Sequence, residues 1–181
     1  MRAVVLEMPP QWIEERRRLG HDIRDEVWDG VLHMVPQPGL IHQLLAGDLE
    51  RAIYPRVIAA GFLVARELSV YATPDDSNYR VPDLVVFDRA NTSQRGVEQR
   101  AAIVIEILSP KDESRDKLPF YASCSIREVW LIDPLTRSFE VLSIDDGYET
   151  VRSDSAVLGV KLSTVDGPKL RVEWSDGAAV I

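Results

Sequence analysis

Residues 80–108 read RVPDLVVFDRANTSQRGVEQRAAIVIEIL, two short apolar runs either side of a polar stretch. The runs LVVF (84–87) and AAIVIEIL (101–108) are compact, rich in valine and isoleucine and shorter than a typical helix, so both read as buried strands. Pro82 offers no backbone donor and marks the start of the first strand or a bulge in it. Each run carries one acid, Asp83 at its entrance or Glu106 inside it.

Glu106 has apolar neighbours on both sides in Ala101–Leu108. A buried carboxylate in such a strand is costly unless it is neutralised, paired or bound to a metal. The plainer alternative is a strand-end carboxylate that reaches solvent or pairs with an arginine. For Asp83 the plainer alternative is a turn aspartate. Taken together the two acids say more. The 23-residue step from Asp83 to Glu106 allows neighbouring strands joined by the polar loop RANTSQRGVEQR. Such strands lie roughly 4.8 Å apart, so facing carboxylates can share one Mg²⁺ at about 2.1 Å from each oxygen. The backbone carbonyl of Ile107 is a further candidate ligand. A hard cation held there polarises a phosphate and acidifies a water, which is the chemistry of phosphodiester hydrolysis. Lys117 stands eleven residues beyond Glu106 at the start of the next helix, where an ammonium can stabilise the attacking hydroxide or the developing charge. Surface lysines are common, and position alone does not single it out.

Outward from this centre, FLVARELSVYA (62–72), EVWLIDP (128–134) and SFEVLSI (138–144) read as further strands. RDKLPFYASC (115–124) reads as a helix beginning near Asp116, with Pro119 in its first turn. QWIEERRRLG (11–20) reads as a short helix, and EVWDGVLHMV (26–35) as a hairpin about Asp29-Gly30. GLIHQLLAGDLERAIYPRVIAAG (39–61) has apolar residues at helical spacing, with Pro55 expected to end or kink the helix. Asp145-Asp146-Gly147 reads as a hairpin turn, followed by short strands and loops. The order predicts a mixed α/β fold, a central mixed sheet flanked by helices, forming a single domain over residues 1–181.

With 181 residues, 45% hydrophobic and 28% charged, the chain has the composition of a globular protein. No apolar stretch approaches the roughly 20 residues of a membrane span, and the four-residue apolar run before Glu7 is too short for a signal peptide, so a cytoplasmic location and no membrane partner are expected. One cysteine, Cys124, excludes an internal disulfide or a cysteine-rich zinc site. His21, His33 and His42 lack zinc spacing. A net charge of −8 counts against broad nucleic-acid binding, although a local basic patch and a metal can offset it. Arg16-Arg17-Arg18 reads as the solvated face of a helix, and Trp28 and Trp130 as core.

Three blocks now bring a resemblance. EVWDGVLHMVPQPGLIHQ (26–43), RVPDLVVFD (80–88) and IVIEILSPKDESRDKLPFYASCSIREVWLIDP (103–134) resemble, in that order along the chain, the Uma-two family of restriction endonucleases in the PD-(D/E)XK superfamily, over roughly residues 10 to 175. The resemblance implies a restriction-endonuclease-like α/β fold and a Mg²⁺- or Mn²⁺-dependent endonuclease acting on DNA, with Asp83 and Glu106 in the two acidic positions. The superfamily's lysine is missing, since Leu108 stands two residues past Glu106. In the family pattern the lysine has moved to the next helix, matched here by Lys117 with Tyr121, Trp130 and Asp133. Lys111 is the rival. Glu26 and His42 match family positions expected to support the metal ligands, Glu26 alternatively binding the metal itself. Superfamily enzymes that cut both strands often dimerise, so a homodimer is among the expected partners. The alternative is a binding or assembly module that keeps the fold without activity. A two-carboxylate glycosidase is disfavoured, because its acids need no lysine beside them.

Overall fold

The apolar runs become strands and the helically spaced stretches helices, in a computed structural model that describes residues 3–5, 9–20, 22–110 and 113–181. In chain order the elements are β1 (Ala3–Val5), α1 (Pro10–Arg18), β2 (Glu26–Trp28), β3 (Val31–Met34), α2 (Leu40–Ala59), β4 (Leu63–Arg66), β5 (Val70–Tyr71), β6 (Tyr79–Arg80), β7 (Leu84–Phe87), β8 (Val97–Glu98) and β9 (Ile103–Ile107). They continue with α3 (Leu118–Ser123), β10 (Glu128–Ile132), β11 (Phe139–Ser143), β12 (Asp154–Ser155), β13 (Val160–Val165), β14 (Lys169–Trp174) and β15 (Gly177–Val180). The fold is mixed α/β, but its strands form three sheets where one was expected.

The five-stranded sheet, in the order β11-β10-β9-β7-β4, is central. Only β9 and β10 run parallel in it, joined by the crossover that contains α3. A six-stranded sheet, β1-β3-β2-β6-β5-β8, and an antiparallel sheet, β12-β13-β14-β15, complete the architecture. Alternation along β7 and β9 divides the core in two. Leu84, Val86, Ile103, Ile105 and Ile107 pack against Leu45, Leu49, Ile53 and Val57 of α2 and against the C-terminal sheet. Val85, Phe87 and Val104 pack on the opposite side with Phe120, Tyr121 and Cys124. Glu106 shares the face of Val104, so it points toward α3 and away from α2.

Four expectations about the elements are corrected. Helix α2 continues through Pro55 to Ala59. Proline's missing N–H costs one hydrogen bond there, while buried Ile53 and Val57 on either side hold the last turn to the core. The stretch 62–72 is not one strand, because Glu67 adopts φ 52° and breaks it between β4 and β5. The helix predicted from 115 divides into a 3₁₀ turn, Ser114–Lys117, and the six-residue α3, with Pro119 in the first turn as expected. Residues 144–146 form a 3₁₀ turn closed by Gly147 at φ 66°, and the returning chain pairs through a single bridge, Val141 with Arg152, instead of a full hairpin strand. The hairpin at Asp29-Gly30 does form, both residues having positive φ.

Gly96 is required by a close approach. A Cβ at this position would lie 2.3 Å from the backbone oxygen of Ser69, where β8 runs beside β5. Glu128, by contrast, is a buried carboxylate with a purely structural environment: it accepts from the Trp130 indole, the Ser155 hydroxyl and the Val157 N–H, tying the C-terminal segment to the central sheet.

Candidate active site

In the antiparallel β7–β9 pair, Leu84 stands opposite Ile105 and Val85 opposite Val104. One step further along that register sets Asp83 opposite Glu106, on the same face. The ends of the two strands are laced together by the Ile107 N–H, which donates to Asp83 Oδ2 at 2.7 Å.

Each acid keeps one oxygen out of this lacing. Among the described residues the hydrogen bonds of Glu106 fall on Oε1, which accepts from Lys117 Nζ at 2.9 Å and from the Tyr121 hydroxyl. Those of Asp83 fall on Oδ2, which takes the Ile107 N–H and lies 3.2 Å from His42 Nε2. Among the described residues no side chain hydrogen-bonds Glu106 Oε2 or Asp83 Oδ1. Two carboxylate oxygens left without a side-chain donor could serve Mg²⁺, an ion that retains several waters and needs only one or two carboxylates. No larger cluster of His, Cys, Asp or Glu suited to a metal forms among the described residues.

The electrostatics are those of a crowded, buried site. Burial raises the Glu106 carboxyl, Lys117 works to lower it, and the charges of Asp83 and Glu26 raise it again, leaving it at about 7. Burial opposes the charge on Lys117, but the carboxylates of Glu106 and Glu26 outweigh it and hold the ammonium protonated, above the ordinary lysine value. Tyr121 is pushed well above its usual range by burial and by Glu106, so its phenol stays a donor. Burial disfavours the His42 imidazolium, yet the hydrogen bond and charge of Asp83 more than compensate and raise it.

Glu26 is only 1% exposed. Its Oε1 accepts from Lys117 Nζ at 2.8 Å and from the Val81 N–H at 3.0 Å, and its Oε2 accepts from the Trp28 indole at 2.8 Å. With both oxygens engaged by Lys117, Val81 and Trp28, Glu26 is placed to hold the lysine. Its burial favours the neutral acid, but Lys117, Trp28 and Val81 together keep it ionised, below the ordinary glutamate value.

Trp130 is fully buried core, donating to Glu128, and Asp133 caps a turn through the N–H groups of Leu135 and Thr136. Neither touches the acids. Lys111 and His21 lie outside the described residues. Arg80 escaped the sequence reading. Buried, with its guanidinium 4.3 Å from the Trp28 ring and 4.2 Å from the Phe120 ring, it donates to the Val27 carbonyl at 2.7 Å and bridges the N-terminal hairpin to α3. Nothing in its local sequence distinguishes it from a surface arginine. The triplet Arg16–Arg18 pairs locally, Arg16 with Asp25 and Arg18 with Glu15.

Residues 10–179 match the Uma2 family, described as putative restriction endonucleases. The chain belongs to the Uma2 family. Among solved structures it is similar to a protein from Anabaena variabilis, described as a putative nuclease belonging to DUF820, with 20% identity, coverage of 78% of this chain and 80% of that one, and a TM-score of 0.56. At that identity the likeness speaks to the fold, which is restriction-endonuclease-like. No curated protein matches the Uma2 chain. Among the described residues, no helix is long and apolar enough to cross a membrane.

Proposed function

We propose that this Uma2 protein is a divalent-metal-dependent endonuclease that hydrolyses DNA phosphodiester bonds. The observation that carries the reading is Lys117 Nζ, 2.9 Å from Glu106 Oε1, beside a carboxylate pair that shares one face of β7 and β9. It supplies from α3's approach the cation that Leu108 cannot supply from the strand.

Asp83, Glu106 and the Ile107 carbonyl would hold Mg²⁺ or Mn²⁺. When bound, the ion supplies positive charge for the scissile phosphate and acidifies an attacking water. Lys117, kept protonated by Glu26 and Glu106, acts as a fixed donor to the oxygen that attacks or to the phosphate oxygens, and not as a base. Preorganised donors of this kind contribute about 2.7–4 kcal/mol to a transition state. Tyr121 and the Ile107 N–H fix the orientation of the two carboxylates by occupying Oε1 and Oδ2. His42, seated against Asp83, supports the same orientation from the first turn of α2.

A cytoplasmic DNA-cleaving homodimer fits this reading. The net charge of −8 favours a second one, a non-catalytic module that keeps the fold. Incubating purified protein with supercoiled plasmid and linear RNA, with Mg²⁺, with Mn²⁺ and with EDTA, separates the two. Metal-dependent nicking lost in Asp83→Asn and Glu106→Gln is the expected result. Absence of cleavage on every substrate and metal tried would establish the module reading in its place.

A further inference from the structure

An acidic chain that grips a polyanion needs its cations gathered locally, beside the site. Lys117, held between Glu26 and Glu106, is committed to the reacting centre and leaves the flanking backbone phosphates to other cations. Two arginines stand instead at the first turn of α2, where His42 meets Asp83. Arg24 pairs with Glu67 Oε1, and Gln43 Nε2 donates to that same oxygen at 2.9 Å. Arg66 donates to the side-chain oxygen of Gln43. The cluster holds two guanidiniums, one carboxylate and one neutral amide, and so carries one net positive charge. Arg66 is exposed and makes no ion pair among the described residues, its only side-chain partner there being the neutral amide of Gln43.

The backbone ties this cluster to the acids. The β4–β7 register pairs Arg66 with Leu84 on the α2 side of the sheet, where it reaches Gln43, and the next step sets Glu67 opposite Asp83, whose carbonyl accepts from the Glu67 N–H at 3.1 Å. Glu67 holds φ 52°, a conformation uncommon for a residue with a side chain, and it ends β4. That left-handed step breaks the strand's alternation beside Asp83, and the Glu67 carboxylate meets Arg24 and Gln43. Strain of this sort, adjacent to a catalytic acid, has a reason when it positions a charged group.

We infer that Arg24 and Arg66, tethered by Glu67 and Gln43, form the phosphate-binding site that holds the DNA backbone alongside the Asp83–Glu106 pair. The inference rests on the endonuclease reading. Both arginines contact phosphate and neither reads bases, so their contribution is sequence-independent and salt-sensitive.

The experiment measures anisotropy of a labelled DNA duplex with wild type, Arg24→Gln, Arg66→Gln and Arg171→Gln, over a salt series, with Ca²⁺ as the metal, alongside plasmid nicking with Mg²⁺. Arg171 pairs with Glu173 on the separate C-terminal sheet and serves as the control. Arg66 is exposed, so its variant tests the inference even where Arg24→Gln unfolds. The expected result is weaker binding on unrelated duplex sequences and a slope of log affinity against log salt shallower by about 0.9 for each arginine removed, with Arg171→Gln like wild type. A wild type that binds and nicks, with Arg66→Gln and folded Arg24→Gln equal to it in affinity and slope, overturns the phosphate site and leaves the nuclease reading standing. A wild type that neither binds nor nicks overturns the nuclease reading, and this inference falls with it.

Discussion

Lys117 Nζ lies 2.8 Å from Glu26 Oε1, a contact between residues 91 apart in sequence. Its consequence is that the lysine has two buried counterions, Glu26 and Glu106, and therefore one geometry. Removing one member of a buried ion pair commonly costs 3–5 kcal/mol, roughly, because the partner charge is left uncompensated. Glu106 remains as the second counterion here, so Glu26→Gln is expected to cost less, about 1–3 kcal/mol. Chemical denaturation at neutral pH checks this. A cost within error of zero would show that Glu26 does not hold the lysine.

The same residue gives a pH dependence. Glu26 is held below its ordinary value, so the folded state binds its proton less readily than the unfolded chain does. Its stabilisation is then fully present above the unfolded value of 4.5 and is lost as pH falls through the lower folded value. Wild type is expected to lose melting temperature more steeply than Glu26→Gln between about pH 5 and pH 3. Parallel melting curves over that range would contradict the assignment.

Glu106→Gln removes a charge that the fold disfavours, as its raised carboxyl shows. Without divalent metal at pH 8 the variant is expected to melt at the wild-type temperature or above it, because a desolvated charge has been relieved. Adding Mg²⁺ or Mn²⁺ should raise the wild-type melting temperature through ligand linkage and leave the variant unmoved. Thermal scans with and without metal read both effects. Equal metal responses in the two proteins would place the ion elsewhere.

Gly96→Ala is expected to destabilise by about 1–3 kcal/mol, since the added methyl meets backbone and not the yielding end of a side chain. Urea midpoints at constant m-value measure it, and an unchanged midpoint would mean that β8 moves away from Ser69 at no cost.

How much of this was legible follows from sequence distance. The juxtaposition of Asp83 and Glu106 was readable because Glu106 lies in a short apolar strand and Asp83 at the entrance of the neighbouring one, joined to it by a single loop. Pro55 misled because the breaking rule concerns one hydrogen bond, whereas Ile53 and Val57 anchor the turn by burial. The break at Glu67 was hidden because nothing at that position advertises positive φ; a glycine would have. Glu26 was placed by resemblance as a support or ligand of the metal, and Arg80 was given no role, because the partners that define them here, Lys117 and Phe120, lie far along the chain and only the assembled fold brings them together.

The displaced lysine permits a reciprocal test. Lys117→Ala removes the ammonium but neither proposed ligand, so metal-induced stabilisation should persist while nicking falls at least about a hundredfold, roughly 2.7 kcal/mol of barrier. Lys111→Ala should retain activity if Lys117 is the acting cation. The decisive variant restores the charge from the strand. Residues i and i+2 of a strand share a face, so a lysine at position 108 leaves β9 on the side of Glu106. Leu108 is half-buried and packs at the edge of the α3-side core, and the longer aliphatic stem of lysine can cover much of the same surface. The double variant Lys117→Ala with Leu108→Lys is therefore expected to regain about tenfold or more of the lost nicking, some 1.4 kcal/mol, with an unchanged requirement for metal. Rescue would show that a cation beside Glu106 is what the chemistry needs, whichever element delivers it. A double variant that folds, binds metal and stays at the activity of Lys117→Ala would instead tie the effect to the geometry of Lys117 itself, and loss of activity in Lys111→Ala alone would move the role to that residue.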